Sequence, residues 1–207
     1  MDKNDGAASL VRSDALFGKF RRVWAMPSAD TFSVPPMGDM VKRYLRNSKV
    51  SVDPFARNKR WVTYTNDLNP ETAADEHMDA EDFLRKYRHV QPDLVIFDPP
   101  YSPGQVAEVY QKVGEKRDGG GGRNAELYAR VRRAIRDMAV PGTIVLSFGW
   151  QSAGMGAGWE TLEIMLVCHG GAHNDTICLA ERMTHKQGDL FDLPNGKDET
   201  QDEVHTM

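Results

Sequence analysis

The feature that most constrains this chain is the unbroken apolar run Leu94–Phe97, stopped at once by Asp98-Pro99-Pro100-Tyr101. A run without polar alternation reads as a strand buried on both faces, and such strands belong to parallel sheets covered by helices. The two prolines fix φ and donate no hydrogen bond, so the strand ends there in a rigid turn. Other segments keep the same rhythm: Val50–Val52 ends at Asp53-Pro54, Trp61–Thr65 ends at Asn66-Asp67, and Thr143–Phe148 follows the turn pair Pro141-Gly142. A further short strand is expected around Glu76–Met78. Asp79–Leu84 opens with helix-capping chemistry, and Ala125–Ala139 sets Leu127, Val131, Ile135 and Met138 on one helical face. Glu163–His169 and Thr176–Ala180, joined through Gly170-Gly171, read as a terminal antiparallel pair. The expectation is one α/β domain over residues 13–183, between a fraying N-terminus (1–12) and an acidic, disordered tail (184–207).

Composition narrows the class. The 207 residues suffice for one core, and no apolar run approaches the roughly 20 residues of a membrane span. No secretory signal pattern opens the sequence, and Cys168 and Cys178 lie in apolar company as reduced core thiols would. A cytoplasmic protein without a membrane partner is expected. The net charge of −4 conceals blocks: residues 1–60 carry +6, 61–111 carry −7 and 112–136 carry +5. Two basic stretches around an acidic middle leave room for a nucleic-acid partner that the whole-chain balance hides.

Ligands of open α/β sheets sit beyond the carboxyl ends of the strands. Asp53, Asp67 and Asp98 all stand at such ends, and Asp79 opens the next helix. Any one of them is an ordinary cap or turn residue. Together they would line one edge with acceptors for hydroxyl and amino groups. Beside Asp98, the carbonyl of Pro99 stays free because the prolines cannot donate. A carboxylate and a fixed carbonyl side by side accept both protons of an exocyclic amine, and the ring of Tyr101 offers a flat base a stacking surface.

Asp98-Pro99-Pro100-Tyr101 resembles the catalytic motif of the DNA amino-methyltransferases that act on adenine N6, with cytosine N4 enzymes as relatives. The resemblance covers roughly residues 30–183 and is strongest to small phage and prophage adenine methylases. It implies a Rossmann-like class I methyltransferase fold with a mostly parallel seven-stranded sheet. It also implies S-adenosylmethionine as cofactor, no metal, and double-stranded DNA as partner of a monomer or homodimer. By the same resemblance, Asp98, Pro99, Pro100 and Tyr101 are catalytic. Asp53, Pro54, Phe55 and Ala56 match the first cofactor motif, and Asp67 the carboxylate that binds ribose hydroxyls. Asp79 and Ala80 match the pair beside the cofactor adenine, and Thr31, Phe32 and Ser33 an additional cofactor-contacting segment. Asp98 also borders the cofactor.

The chain departs from the pattern at Arg57, where the family usually has glycine. Arginine adds bulk and excludes most positive φ conformations, so either the loop takes another path with Arg57 outward or cofactor binding is weak. A second departure is the lack of room for a large target-recognition domain. Base and phosphate contacts then fall to Lys116, Arg117, Arg123, Arg130 and Arg133 of the second basic block, to Trp150 on the rim, and to His173 in the glycine hairpin. His169 and Asn174 of that hairpin join them if the preceding strand is parallel to the others. Cys168–Asp175 matches no tetrahedral zinc spacing. Methylation of structured RNA, or a binding protein that has lost its cofactor site, are the alternatives.

Overall fold

The computed structural model describes residues 19–101, 122–171 and 173–186, with the backbone alone for 122–125. The elements are β1 (Phe20–Trp24), α1 (Pro35–Leu45), β2 (Ser51–Asp53), β3 (Tyr64–Thr65), α2 (Ala80–Lys86), β4 (Leu94–Phe97), α3 (Gly122–Met138), β5 (Ile144–Gly149), β6 (Trp159–Cys168) and β7 (Thr176–Met183). They form one seven-stranded sheet in the order β1-β6-β7-β5-β4-β2-β3. Every neighbouring pair is parallel except those made by β7, which runs against both β5 and β6. Six carboxyl ends therefore share one edge. This is a Rossmann-like arrangement, mostly parallel with one reversed strand.

All four residues of β4 are buried, as an apolar run without alternation requires. The period of two still sorts them. Val95 and Phe97, with Val52 and Val145, pack against Phe83 and Leu84 of α2 and Leu127, Val131 and Ile135 of α3. Leu94 and Ile96, with Leu146 and Phe148, face Met37, Met40 and Val41 of α1. Helices thus cover both faces. Cys178 is fully buried in the second cluster, and the buried thiol of Cys168 accepts a hydrogen bond from Arg22 Nε at 3.0 Å. No helix among the described residues is long and apolar enough to cross a membrane.

Several expectations need correction. Of Trp61–Thr65 only Tyr64 and Thr65 pair in the sheet. Trp61 instead stacks on Phe32 with centroids 5.9 Å apart, so packing on the α1 face outweighs its β propensity. The strand around Glu76–Met78 shrinks to a single bridge between Asn66 and Glu76. β1 and α1 are elements that the sequence reading did not assign. Residues 1–12 lie outside the described residues, as does the acidic tail beyond Lys186. Thr184, at the start of that tail, bonds Gly158 O through its amide (2.9 Å) and hydroxyl (3.0 Å).

Candidate active site

At the shared carboxyl edge lies a cavity of about 800 Å³. Asp98 enters it directly from β4, and the prolines turn the chain along its floor. Tyr128 of α3 donates its hydroxyl to Pro100 O at 3.2 Å and fixes the loop from beneath. The Tyr101 hydroxyl donates to Asp98 Oδ1, and Thr31 Oγ1 stands 3.4 Å from the same hydroxyl. The Tyr101 ring lies 5.7 Å from the Trp150 ring at 55°. Trp150, 43% exposed, forms the outer wall.

Burial raises the Asp98 carboxyl to about 6, while hydrogen bonds from Tyr101 and Thr31 and the charge of Arg57 pull it back. Burial, reinforced by Asp98, pushes the Tyr101 hydroxyl well above its ordinary value. The tyrosine is thus a neutral donor that satisfies the carboxyl it neighbours.

The other half of the cavity is built from the ends of β2 and β3. Asp53 is buried under the loop and accepts from Phe55 N at 2.9 Å, with burial raising its carboxyl well above the ordinary range. Buried Asn66 holds the strand ends together: its amide donates to Pro54 O (3.1 Å) and Met78 O (3.0 Å), and its Oδ1 accepts from Met78 N (3.1 Å). Asp67 accepts from Asn69 N at 2.9 Å and Arg57 N at 3.1 Å, which fixes its carboxylate at the cavity wall. Burial raises the Asp67 carboxyl; those two bonds and the Arg57 charge oppose it.

Arg57 itself has φ 50°. The backbone keeps the left-handed conformation that glycine would take there, at a cost of about 1 kcal/mol. Its side chain turns over the cavity, and Nη1 donates to Ala29 O at 2.6 Å. Arg57 is thus exposed, as the first of the two expectations had it, but its side chain stays at the cavity rim instead of leaving it.

Among the expected site residues, Thr31, Pro54, Phe55, Asp67, Ala80, Asp98, Pro99, Pro100, Tyr101, Trp150 and His173 line this one cavity. Asp53, Ala56 and Phe32 are buried behind its wall, and exposed Ser33 bonds Ser28 Oγ and Asp30 O (both 2.7 Å). Asp79 caps α2 by accepting from Glu81 N at 2.9 Å. Arg130 joins Glu81 at 2.9 Å and lies 3.9 Å from Asp79, so its charge meets α2. Arg133 is exposed on α3. Arg123 is described by its backbone only, and Lys116 and Arg117 lie outside the described residues. Asn66, Asn69, Leu68, Met78 and Thr176 are further cavity residues that the sequence reading missed. Their common signal is a place within a few residues of a strand end. His169, expected near substrate, reaches the cavity wall, but its ring nitrogens meet Ala25 O (2.8 Å) and Thr176 Oγ1 (3.0 Å), so it stitches β1 to β7.

No family model matches the chain, and no curated protein matches it. Among solved structures it is similar to yhhF, a candidate methyltransferase of Escherichia coli, at 12% identity and TM-score 0.43, covering 77% of this chain and 92% of that one. It is also similar to TrmN of Thermus thermophilus at 14% identity and TM-score 0.44, covering 72% of this chain and 49% of that one. Likeness at this level is one of overall shape, and the chemistry is read from the residues of the cavity.

Proposed function

We propose that the chain is an S-adenosylmethionine-dependent methyltransferase that acts on the exocyclic amino group of adenine in double-stranded DNA. The observation that carries this reading is the rigid Asp98–Tyr101 turn at the end of β4, its carboxyl facing a cavity bounded by two aromatic rings. The volume of about 800 Å³ lies in the usual range for small-molecule clefts.

The residues present fit the cofactor. Asp67, held by two backbone amides, offers carboxylate oxygens to ribose hydroxyls. Phe55, Leu68, Met78 and Ala80 offer apolar walls to a flat purine. When bound, the cofactor supplies a methyl group activated by an adjoining sulfonium.

The chain's own residues then supply position and electrostatics. Asp98 and the Pro99 carbonyl accept the two protons of the base amine, which leaves the nitrogen lone pair free on the opposite side. The Tyr101 hydroxyl must leave Asp98 for the amine to take its place. Tyr101 and Trp150 then stack on the extruded base. The proton that the methylated nitrogen sheds has an acceptor in the Asp98 carboxylate.

The test is to incubate the protein with methyl-labelled S-adenosylmethionine and either unmethylated duplex DNA or structured RNA, and to ask which polymer retains label. Retention on adenine-containing duplex supports the reading. Retention on RNA alone moves the substrate assignment to RNA, and retention on neither contradicts methyl transfer to nucleic acid.

A further inference from the structure

Arg57 is the one lysine or arginine among the described residues that line the cavity, where Asp67, Glu71 and Asp98 supply the opposite sign. Its neighbours in sequence are already paired: Lys59 with Asp30 at 3.0 Å, and Arg60 with Asp75. No carboxylate among the described residues lies within salt-bridge reach of Arg57. Its guanidinium is nonetheless held in place, because one Nη1 bond to Ala29 O at 2.6 Å stretches it from the loop after β2 to the segment before α1. Its backbone is held as well, at φ 50° and through the hydrogen bond that its N–H donates to Asp67 Oδ2 at 3.1 Å. A guanidinium pre-oriented by one bond keeps its remaining donors in a fixed fork, the geometry that suits a carboxylate.

The ligand chemistry follows from the charges. The ammonium group of a zwitterionic nucleoside thioether finds carboxylates on this wall, whereas its own carboxylate finds one fixed cation. We propose that Arg57 clamps the amino-acid carboxylate of the cofactor, so that this loop recognises by charge where a glycine loop would offer bare backbone. The inference rests on the methyltransferase reading and narrows it to one contact at one end of the ligand.

Calorimetric titration with two nucleosides tests it. One is S-adenosylhomocysteine; the other is its decarboxylated analogue, 5′-(3-aminopropylthio)-5′-deoxyadenosine, which lacks the carboxylate alone. Wild-type protein is expected to bind the first about tenfold more tightly, as one charge-assisted bond at a partly exposed site gives. Arg57→Gly relaxes the left-handed backbone, so folding is not at risk, and circular dichroism checks it. That variant is expected to lose about tenfold toward S-adenosylhomocysteine and little toward the analogue. Equal losses for both ligands, or none, overturn the inference while leaving the cofactor reading intact. Weaker DNA binding with unchanged nucleoside binding also overturns it and makes Arg57 a phosphate contact. Wild-type protein that binds neither nucleoside overturns the cofactor reading, and the inference with it.

Discussion

Two demands meet on the carboxyl of Asp98. Accepting amine protons requires the ionised form, while burial raises its pKa to about 6. Methyl transfer should therefore fall about tenfold per pH unit below that value, read as kcat/KM across pH 5–9. Tyr101→Phe removes a hydrogen bond that holds the carboxyl down, so the acid limb should move upward; a limb that stays in place rules out Asp98 as its origin. The same shift is a statement about stability. The native value exceeds the ordinary one of about 3.9, so the cost of burying the charge is absent below pH ~4 and fully present above pH ~6. Asp98→Asn should accordingly stabilise the protein by about 3 kcal/mol at pH 8 and by nearly nothing at pH 4, measured by thermal unfolding at each pH. A difference independent of pH would contradict this origin. The Asp98 turn was legible in the sequence because prolines have backbone consequences whatever surrounds them. The conformation of Arg57 was not, since an arginine gives no local signal for positive φ, and its bonds to Asp67 and Ala29 exist only once the strand ends are side by side.

At the scale of elements, β4, β5, β7 and the second half of β6 were legible because they leave apolar runs, while the half-exposed start of β6, Trp159–Leu162, leaves none. β1 was not. Its sequence Phe20-Arg21-Arg22-Val23-Trp24 is largely exposed, as an edge strand's is, and Arg21 pairs with Glu163 of β6 at 2.9 Å. α1 was hidden by Pro35-Pro36, which read as loop although proline is tolerated in the first turn of a helix. What docks α1 is Gly38: a Cβ built there would stand 2.4 Å from Phe32 O, in the turn that carries the cavity residue Thr31. Gly38→Ala should destabilise the protein by about 2 kcal/mol through this clash, whatever alanine adds to helix propensity. Denaturant unfolding reads it against Asp39→Ala, an exposed change on the same helix; equal midpoints for the two variants would contradict the docking role.

For the whole molecule, strand direction does the decisive placing. Six strands point the same way, so segments distant in sequence, from Thr31 to Thr176, reach one cavity. The sequence showed the acids at the strand ends but not which of them faces inward, because that depends on the path of each turn. Asp67 and Asp98 reach the cavity, whereas Asp53 is consumed in holding its own loop. The basic stretch from Lys112 to Arg136 follows the Asp98–Tyr101 turn in sequence, and exposed Arg133 belongs to it. If that stretch meets phosphates, DNA affinity should fall steeply between 50 and 200 mM salt, while nucleoside binding changes far less. Fluorescence anisotropy with a labelled duplex, run beside nucleoside titration, separates the two; parallel salt responses would contradict phosphate contact.

The most direct test of the central claim is the identity of the modified nucleoside. Unmethylated duplex DNA is incubated with S-adenosylmethionine and either wild-type protein or Asp98→Ala, digested to nucleosides and analysed by mass spectrometry. N6-methyladenine is expected with the wild type and none with the variant. Equal product from both proteins, or a methyl group carried on ring carbon rather than on an exocyclic nitrogen, would contradict it.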